Sequence, residues 1–342
     1  STQLYEEARQ KVANFLGAPT RQEIIFTSGT TQSINLVAHS FGRKFVNSGD
    51  EVIISNIEHH ANIVPWQVLC DEKGAKLKVI PVADNGELIM EEYDKLLTNK
   101  TRVVAVNHVS NALGTINPVN EITRKAHAVG AKVLIDGAQS TPHMKVDVRD
   151  IDCDFYTFSG HKMYAPSGIG GMFGKMEVME TMPPYVTGGD MIMQVTLEKS
   201  TYAKPPARFE AGTPPISQVI GLGAAIDYLN SVGMDKIFEY EKSLLDYGTQ
   251  LLNDIEGVRI IGNAKEKAAI LSIYIEVAHP HDMITMLDQD GIALRGGHHC
   301  AQPTMIRFGV PATARASMAF YNKFSEIDAL AESLRKIIKF FS

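Results

Sequence analysis

The sequence predicts an α/β fold: a mostly parallel sheet covered by helices on both faces, followed by a smaller α+β domain. Three observations carry this expectation. Between residues 23 and 135 short apolar runs alternate with amphipathic ones, the pattern of strands joined by crossover helices. From about Ile216 the texture changes to two long helical patterns and then strand-like runs. The length, 342 residues, suits two domains better than one.

The elements follow in order. Leu4, Ala8, Val12, Phe15 and Leu16 are spaced for one face of a helix over residues 4–16. Residues 23–26 read as a short strand, and Thr27-Ser28-Gly29-Thr30-Thr31 turns it into a helix through Ile34, Leu36 and Val37. Strands are expected at 51–55, 76–82, 102–108 and 132–135, alternating with helices at 62–69, 90–97 and 119–129. Cys153 heads a further apolar strand. Residues 185–207 are polar and broken by Gly and Pro, which predicts a long excursion at a domain edge. Helices at 219–229 and 234–255 then lead to strands at 258–261 and 270–276. A helix at 282–287, a short strand at 292–295, an irregular segment and an amphipathic helix at 326–341 complete the chain. The domains are expected to run over 1–230 and 231–342.

Composition excludes several function classes. A formal net charge of −6 with scattered Lys and Arg gives neither a nucleic-acid footprint nor a membrane-surface patch. No apolar run is long enough to span a bilayer, and residues 1–10 lack the apolar core of a signal peptide. Three cysteines, Cys70, Cys153 and Cys300, do not build a disulfide framework and suit a reducing compartment, so the expected location is the cytoplasm.

In a parallel sheet, ligands gather at the carboxyl ends of the strands. Polar residues cluster there: 55–60, 107–111, 136–139 and 159–162. Lys162 follows the hydrophobic run ending at Phe158, and Asp136 ends the apolar run Val133-Leu134-Ile135. A sheltered amine and a carboxylate at the end of a buried strand are the two ends that pyridoxal phosphate needs, one for its aldehyde and one for its ring nitrogen. Gln139 accompanies Asp136 and has a group to offer the ring hydroxyl. Thr27 to Thr31 opens a helix, where free N–H groups favour a phosphate; the same residue types also make a plain helix N-cap. His59 and His60 supply a ring to stack on a planar cofactor, a metal ligand or a turn residue. Cys300 lies in a Gly/His-rich run, off any apolar face, with Arg295 and histidines near enough to promote a thiolate. Cys70 and Cys153 read instead as buried structural cysteines. No C-x-x-C or H-E-x-x-H spacing accompanies the His-His-Cys run, so no metal is expected. Arg315 sits among small residues and fits either a substrate carboxylate or an internal salt bridge.

Seven short motifs occur in order along nearly the whole chain: Thr-Ser-Gly-Thr-Thr (27–31), Glu-His-His-Ala-Asn (58–62), Ser-Asn-Ala-Leu-Gly (110–114), Asp-Gly-Ala-Gln (136–139), Ser-Gly-His-Lys (159–162), Arg-Phe-Glu-Ala-Gly-Thr (208–213) and Arg-Gly-Gly-His-His-Cys (295–300). Together they resemble the class V, fold-type I pyridoxal phosphate enzymes, and within them the SufS-type (NifS-like) cysteine desulfurases and selenocysteine lyases. The resemblance implies a seven-stranded, mostly parallel sheet in the large domain. It implies that Lys162 bonds the cofactor, Asp136 pairs with its ring nitrogen, Gln139 meets the ring hydroxyl and His59 stacks on the ring. Thr30, Thr31, Ser159 and His161 would hold the phosphate. Thr213 would reach the phosphate of a second subunit in a homodimer. Asn111, Arg295 and Arg315 would position the substrate, and Cys300 would take up its sulfur.

The implied reaction converts L-cysteine, or L-selenocysteine, to L-alanine. The implied partner is a sulfur acceptor of the SufE or SufU kind feeding iron–sulfur cluster assembly. Family members carry a leading segment with Asn-Ala-Ala-Thr and an Arg/His-bearing motif. The numbered sequence begins after it, as a fragment or a truncated chain would. Asp190 stands where the family more often has Glu. The rival readings are another class V enzyme (an aminotransferase or a kynureninase-like hydrolase), an idle binding subunit of the same fold, and a zinc hydrolase.

Overall fold

The computed structural model describes residues 2–342. Strands β1 (Ile24–Thr27), β2 (Glu51–Ser55), β3 (Lys76–Ile80), β4 (Thr101–Asn107), β5 (Lys132–Asp136), β6 (Phe155–Ser159) and β7 (Gly170–Gly174) form one sheet in the order β1-β7-β6-β5-β4-β2-β3. Strands β3, β2, β4, β5 and β6 pair in parallel, and β7 runs against both its neighbours. Side chains on the two faces enter separate apolar cores. Ile53, Val104, Val106, Val133 and Ile135 pack into one, and Val52, Ile54, Val103, Ala105 and Leu134 into the other. Burial on both faces is why these runs read as continuously apolar.

A hairpin of β8 (Ile192–Val195) and β9 (Ser200–Tyr202) stands within the polar stretch expected to be an excursion. Beyond it, β10 (Val258–Ile261), β11 (Ile270–Ile275), β12 (Arg295–Gly297) and β13 (Thr313–Ser317) form an antiparallel sheet in the order β10-β11-β13-β12. Its core holds Leu244, Leu271, Ile273, Leu330 and Leu334. The helix Met234–Asn253 joins the two bodies, with Ile237 in a core of the large sheet and Leu244 in that of the small one.

Several expectations need correction. The segment expected to be irregular contains the helix Gln302–Arg307 and β13, an inner strand of the small sheet. Thr-Ala-Arg-Ala-Ser has little β-propensity, so pairing with β11 and β12 makes the strand. The strand expected at 292–295 starts at Arg295. The helix expected from residue 62 starts at Val64, with Pro65 in its first turn, after a separate turn His60–Asn62. Strand β7, Gly-Gly-Met-Phe-Gly, gave no signal because its glycines mask it. Among the described residues, no helix is long and apolar enough to cross a membrane.

Candidate active site

A cavity of about 220 Å³ opens at the carboxyl ends of β4, β5 and β6. Thr30, Thr31, His59, Asn111, Asp136, Gln139, Ser159, His161, Lys162, Arg295 and Arg315 all line it. The first nine come from the large-sheet body, and the two arginines reach over from β12 and β13.

Asp136 ends β5 and is 5% exposed. Its Oδ1 accepts a hydrogen bond from the Ala138 N–H at 2.9 Å. Burial raises the Asp136 pKa, and Lys162 only partly opposes this. Lys162 closes a single turn, Gly160–Lys162, at the end of β6. Burial lowers its pKa, against the pull of Asp136 and with help from Arg315 and Arg295. Each group therefore leans towards its neutral form. A neutral amine is the nucleophilic form, and a buried carboxylate short of charge suits a cationic partner.

At the end of β6, just before that turn, Ser159 Oγ donates to Thr30 Oγ1 at 3.0 Å and accepts from the Thr30 N–H at 3.0 Å. Thr30 starts the helix Thr30–Val37. These hydroxyls and the free N–H groups of the first helical turn make a cradle for an anion. The cradle depends on a close backbone approach. A Cβ on Gly170 would lie 2.5 Å from the Phe158 carbonyl oxygen and 2.6 Å from Gly29 Cα. Only glycine lets β7 pass there.

His59 is held as a neutral ring. Its Nδ1 accepts from the Ala61 N–H at 3.0 Å, so that nitrogen carries a lone pair and the tautomer is assigned as Nε2–H. Burial, followed by the charges of Lys162, His60, Arg295 and Arg315, lowers its pKa to about 4. Beneath it lies Glu58, which sequence reasoning passed over although it heads the Glu-His-His-Ala-Asn motif. Glu58 is wholly buried. It accepts from Ser55 Oγ, from Asn62 Nδ2 at 2.8 Å and from the Asn107 N–H at 3.0 Å. Burial pushes its pKa up to about 8 against these donors. The signal available in the sequence was an acidic residue three positions past an apolar strand, too common to single out.

Arg295 and Arg315 face each other across the β12–β13 ladder. Like charges directly opposite are unfavourable. Burial, then Arg295, lowers the Arg315 pKa to about 10. Arg315 Nη1 donates to the Asn111 carbonyl at 2.8 Å, while its buried Nε has no protein partner. A carboxylate between these guanidinium groups would offset both costs. Asn111 is only half available to a ligand, since its Nδ2 already donates to the His299 carbonyl at 2.6 Å. Its buried Oδ1 is free of any protein partner.

Two expected residues stand apart. Cys300 does not line the cavity, but its Sγ accepts from Arg295 Nη2 at 3.5 Å, at the rim. Thr213 lies in a different hollow, lined by Tyr5, Phe26, Ser28 and Gln32 among others, and is exposed. One copy of the chain does not bring Thr213 to the cradle.

The family profile described as Aminotransferase class-V matches residues 1–330. The chain belongs to the class-V aminotransferase family. Among curated members, a cysteine desulfurase from Synechococcus elongatus is 51% identical over 98% of this chain, which covers 54% of that protein. A cysteine desulfurase from Serratia proteamaculans is 49% identical over 99% of this chain and 84% of its own length. The chain thus spans about half the length of some curated relatives and most of others. The solved structure of the cysteine desulfurase CsdA (S-sulfonic acid) from Escherichia coli superposes with a TM-score of 0.96 at 38% identity, covering 100% of this chain and 85% of that one. The apo cysteine desulfurase of Thermococcus onnurineus gives 0.95 at 39% identity, over 99% and 84%. The large, mostly parallel seven-stranded sheet of this chain matches the fold type I of these cysteine desulfurases.

Proposed function

We propose that this class-V chain is a pyridoxal phosphate-dependent cysteine desulfurase, which moves the sulfur of L-cysteine to Cys300 and releases L-alanine. The observation that carries the reading is the meeting of Lys162, Asp136, Arg295 and Arg315 in one small cavity with the Cys300 thiol at its rim. The names borne by relatives and by the two solved structures support it.

The residues fit the cofactor. Asp136 is a buried carboxylate short of positive charge, suited to a ring nitrogen cation. Gln139 would meet the ring hydroxyl, and His59 offers a flat neutral ring. Thr30, Thr31, Ser159 and His161 supply donors for a phosphate, and Thr213 would reach the cradle of a second copy in a homodimer. When bound, the cofactor supplies an aldehyde for Lys162 and a ring that takes up the electron pair freed at the amino-acid α-carbon.

The chain's own groups then do the rest. Arg315, with Arg295, holds the substrate carboxylate. Asn111 Oδ1 accepts from the substrate. Lys162 Nζ, whose pKa burial lowers, takes the α-proton. The Cys300 thiolate attacks the substrate sulfur: an S–S bond forms, the C–S bond breaks with its electron pair left on the β-carbon, which is protonated, and Lys162 returns the α-proton to give alanine. The residue is left as a persulfide. We place residues 1–230 in a cofactor domain and 231–342 in a domain bearing the thiol. Delivery of the sulfur to a SufE- or SufU-like acceptor for iron–sulfur assembly, a selenocysteine lyase activity and a cytoplasmic setting belong to the same proposal.

The test is direct. The purified chain is loaded with pyridoxal phosphate and given L-cysteine, and alanine, sulfide and the mass of the Cys300 peptide are measured. A yellow protein that makes alanine and gains one sulfur on that peptide is the expected result. A protein that stays colourless, or makes no alanine, sinks the reading.

A further inference from the structure

Three consecutive residues of one turn touch three parts of the site. Glu58 is rooted in the sheet through Ser55 of β2 and Asn107 of β4. His59 walls the cavity. His60 faces away, towards the segment that carries the thiol. The His60 backbone N–H donates to the Cys300 carbonyl at 2.7 Å. The His60 imidazole accepts the Gln302 N–H at Nε2, 3.1 Å away. The two bonds bracket Cys300, one at its own carbonyl and one two residues on.

Both bonds answer a local need. Gln302 opens the helix Gln302–Arg307, and the first N–H groups of a helix have no acceptor within it. The imidazole supplies one from outside. His299 and Cys300 take left-handed backbone, with φ of 54° and 55°. Residues with a Cβ keep that conformation only where their surroundings impose it. From the small-sheet side, Thr313 Oγ1 pairs with His299 Nε2 at 2.8 Å. From the large-sheet side, Asn111 holds the His299 carbonyl. Beyond the turn, Ala301 and Met305 are buried in a core of the large sheet. Cys300 thus sits on a bend between an edge strand of one body and a helix docked on the other, and His60 ties that bend down on the far side of Asn111.

We propose that His60 is a positioning residue for Cys300: as an acceptor at Nε2 it fixes the thiol turn against the turn that carries His59. The inference rests on the reading of Cys300 as the residue that takes up sulfur. His60 does not line the cavity, so it acts through Cys300.

The cofactor-loaded protein tests this with two substitutions. His60→Gln keeps a side-chain acceptor, and His60→Phe keeps a ring without one. Three quantities are compared: amide exchange in the peptide 298–304, the rate at which iodoacetamide alkylates Cys300 without substrate, and alanine formation from L-cysteine. In His60→Phe the peptide exchanges faster and alkylation rises about fivefold, the loss of one hydrogen bond of ordinary strength. Its kcat falls about fivefold, while KM for cysteine and the cofactor absorbance hold. His60→Gln stays within about twofold of the parent in all three. Should His60→Phe fail to fold, His60→Leu takes its place. Equal behaviour of the acceptor and non-acceptor variants, or parental exchange and alkylation without an acceptor, would overturn the inference. A parent protein that makes no alanine sinks the desulfurase reading instead, and exchange and alkylation still decide the role of His60.

Discussion

The two halves of the candidate site are built differently. The large-sheet half places Asp136, Ser159 and Lys162 at or just past the ends of inner strands, where ladder bonds on both sides fix the backbone. The small-sheet half places Arg295 on an edge strand and Cys300 on a left-handed bend. Arg315, on an inner strand, is the exception there. Asp136 is buried and Arg295 exposed. One half is held by the sheet itself, while the other is held by tethers that cross from the large body: Asn111 to His299, Arg315 to Asn111, and His60 to Cys300 and Gln302. On the proposed function, the groups that would hold a cofactor profit from rigidity, whereas a thiol that would pass its sulfur on profits from a mount that can be released.

If the halves differ in this way, their variants should fail differently. Lys162→Ala should be the most severe, removing the covalent link to the cofactor and lowering alanine formation on the order of 10⁴-fold. Trapping with borohydride followed by mass spectrometry should find no cofactor on the chain. Cys300→Ala should lower alanine formation at least ~100-fold while cofactor absorbance stays parental. Loss of cofactor from that variant would mean the halves are not separable. Arg315→Leu should raise KM for cysteine roughly 10- to 100-fold, the worth of a charged hydrogen-bonded pair. Because it relieves the facing Arg295 but also removes the donor to the Asn111 carbonyl, its thermal midpoint should stay near the parent's. Arg295→Leu, on the exposed edge, should cost less in KM.

Stability tests sharpen the contrast further. Glu58→Ala strips the acceptor from Ser55, Asn62 and Asn107 and should cost about 3 kcal/mol in urea unfolding, all of it on the large-sheet side. His108 gives the smallest effect. It is buried, it pairs with the Tyr156 hydroxyl, and burial lowers its pKa to about 4. Its folded value lies below its unfolded one, so the unfolded chain binds the proton first and stability falls as pH drops from about 6.5 towards 4. The stability difference between the parent and His108→Gln should therefore shrink over that window, read as thermal midpoints at each pH.

The legibility of the sequence divides along the same line. Strands β2, β4 and β5 were readable because a strand buried on both faces must be apolar throughout, and the polar residues that end them mark the cavity. Asp136 and Lys162 could be found that way. Strands β7 and β13 could not, since Gly-Gly-Met-Phe-Gly and Thr-Ala-Arg-Ala-Ser carry almost no intrinsic signal and exist as strands through their neighbours. Glu58 and the tethers from His60 and Asn111 were invisible for a related reason: a hydrogen bond between residues 188 apart in sequence, such as Asn111 to His299, leaves no periodicity. Thr213 was expected only through family resemblance, and in a single copy it lines a hollow separate from the cradle.

Gly170 carries one last consequence. The missing side chain sets how near three stretches of backbone come: β7 itself, the end of β6 and the bend at Gly29. Adding one methyl group would press on the Phe158 carbonyl, on Gly29 Cα and on Ser159 Cα, the backbone beside the Thr30 and Ser159 hydroxyls. Gly170→Ala is thus a lesion able to disturb the candidate anion cradle from a position with no functional atom, and a screen confined to polar residues would miss it.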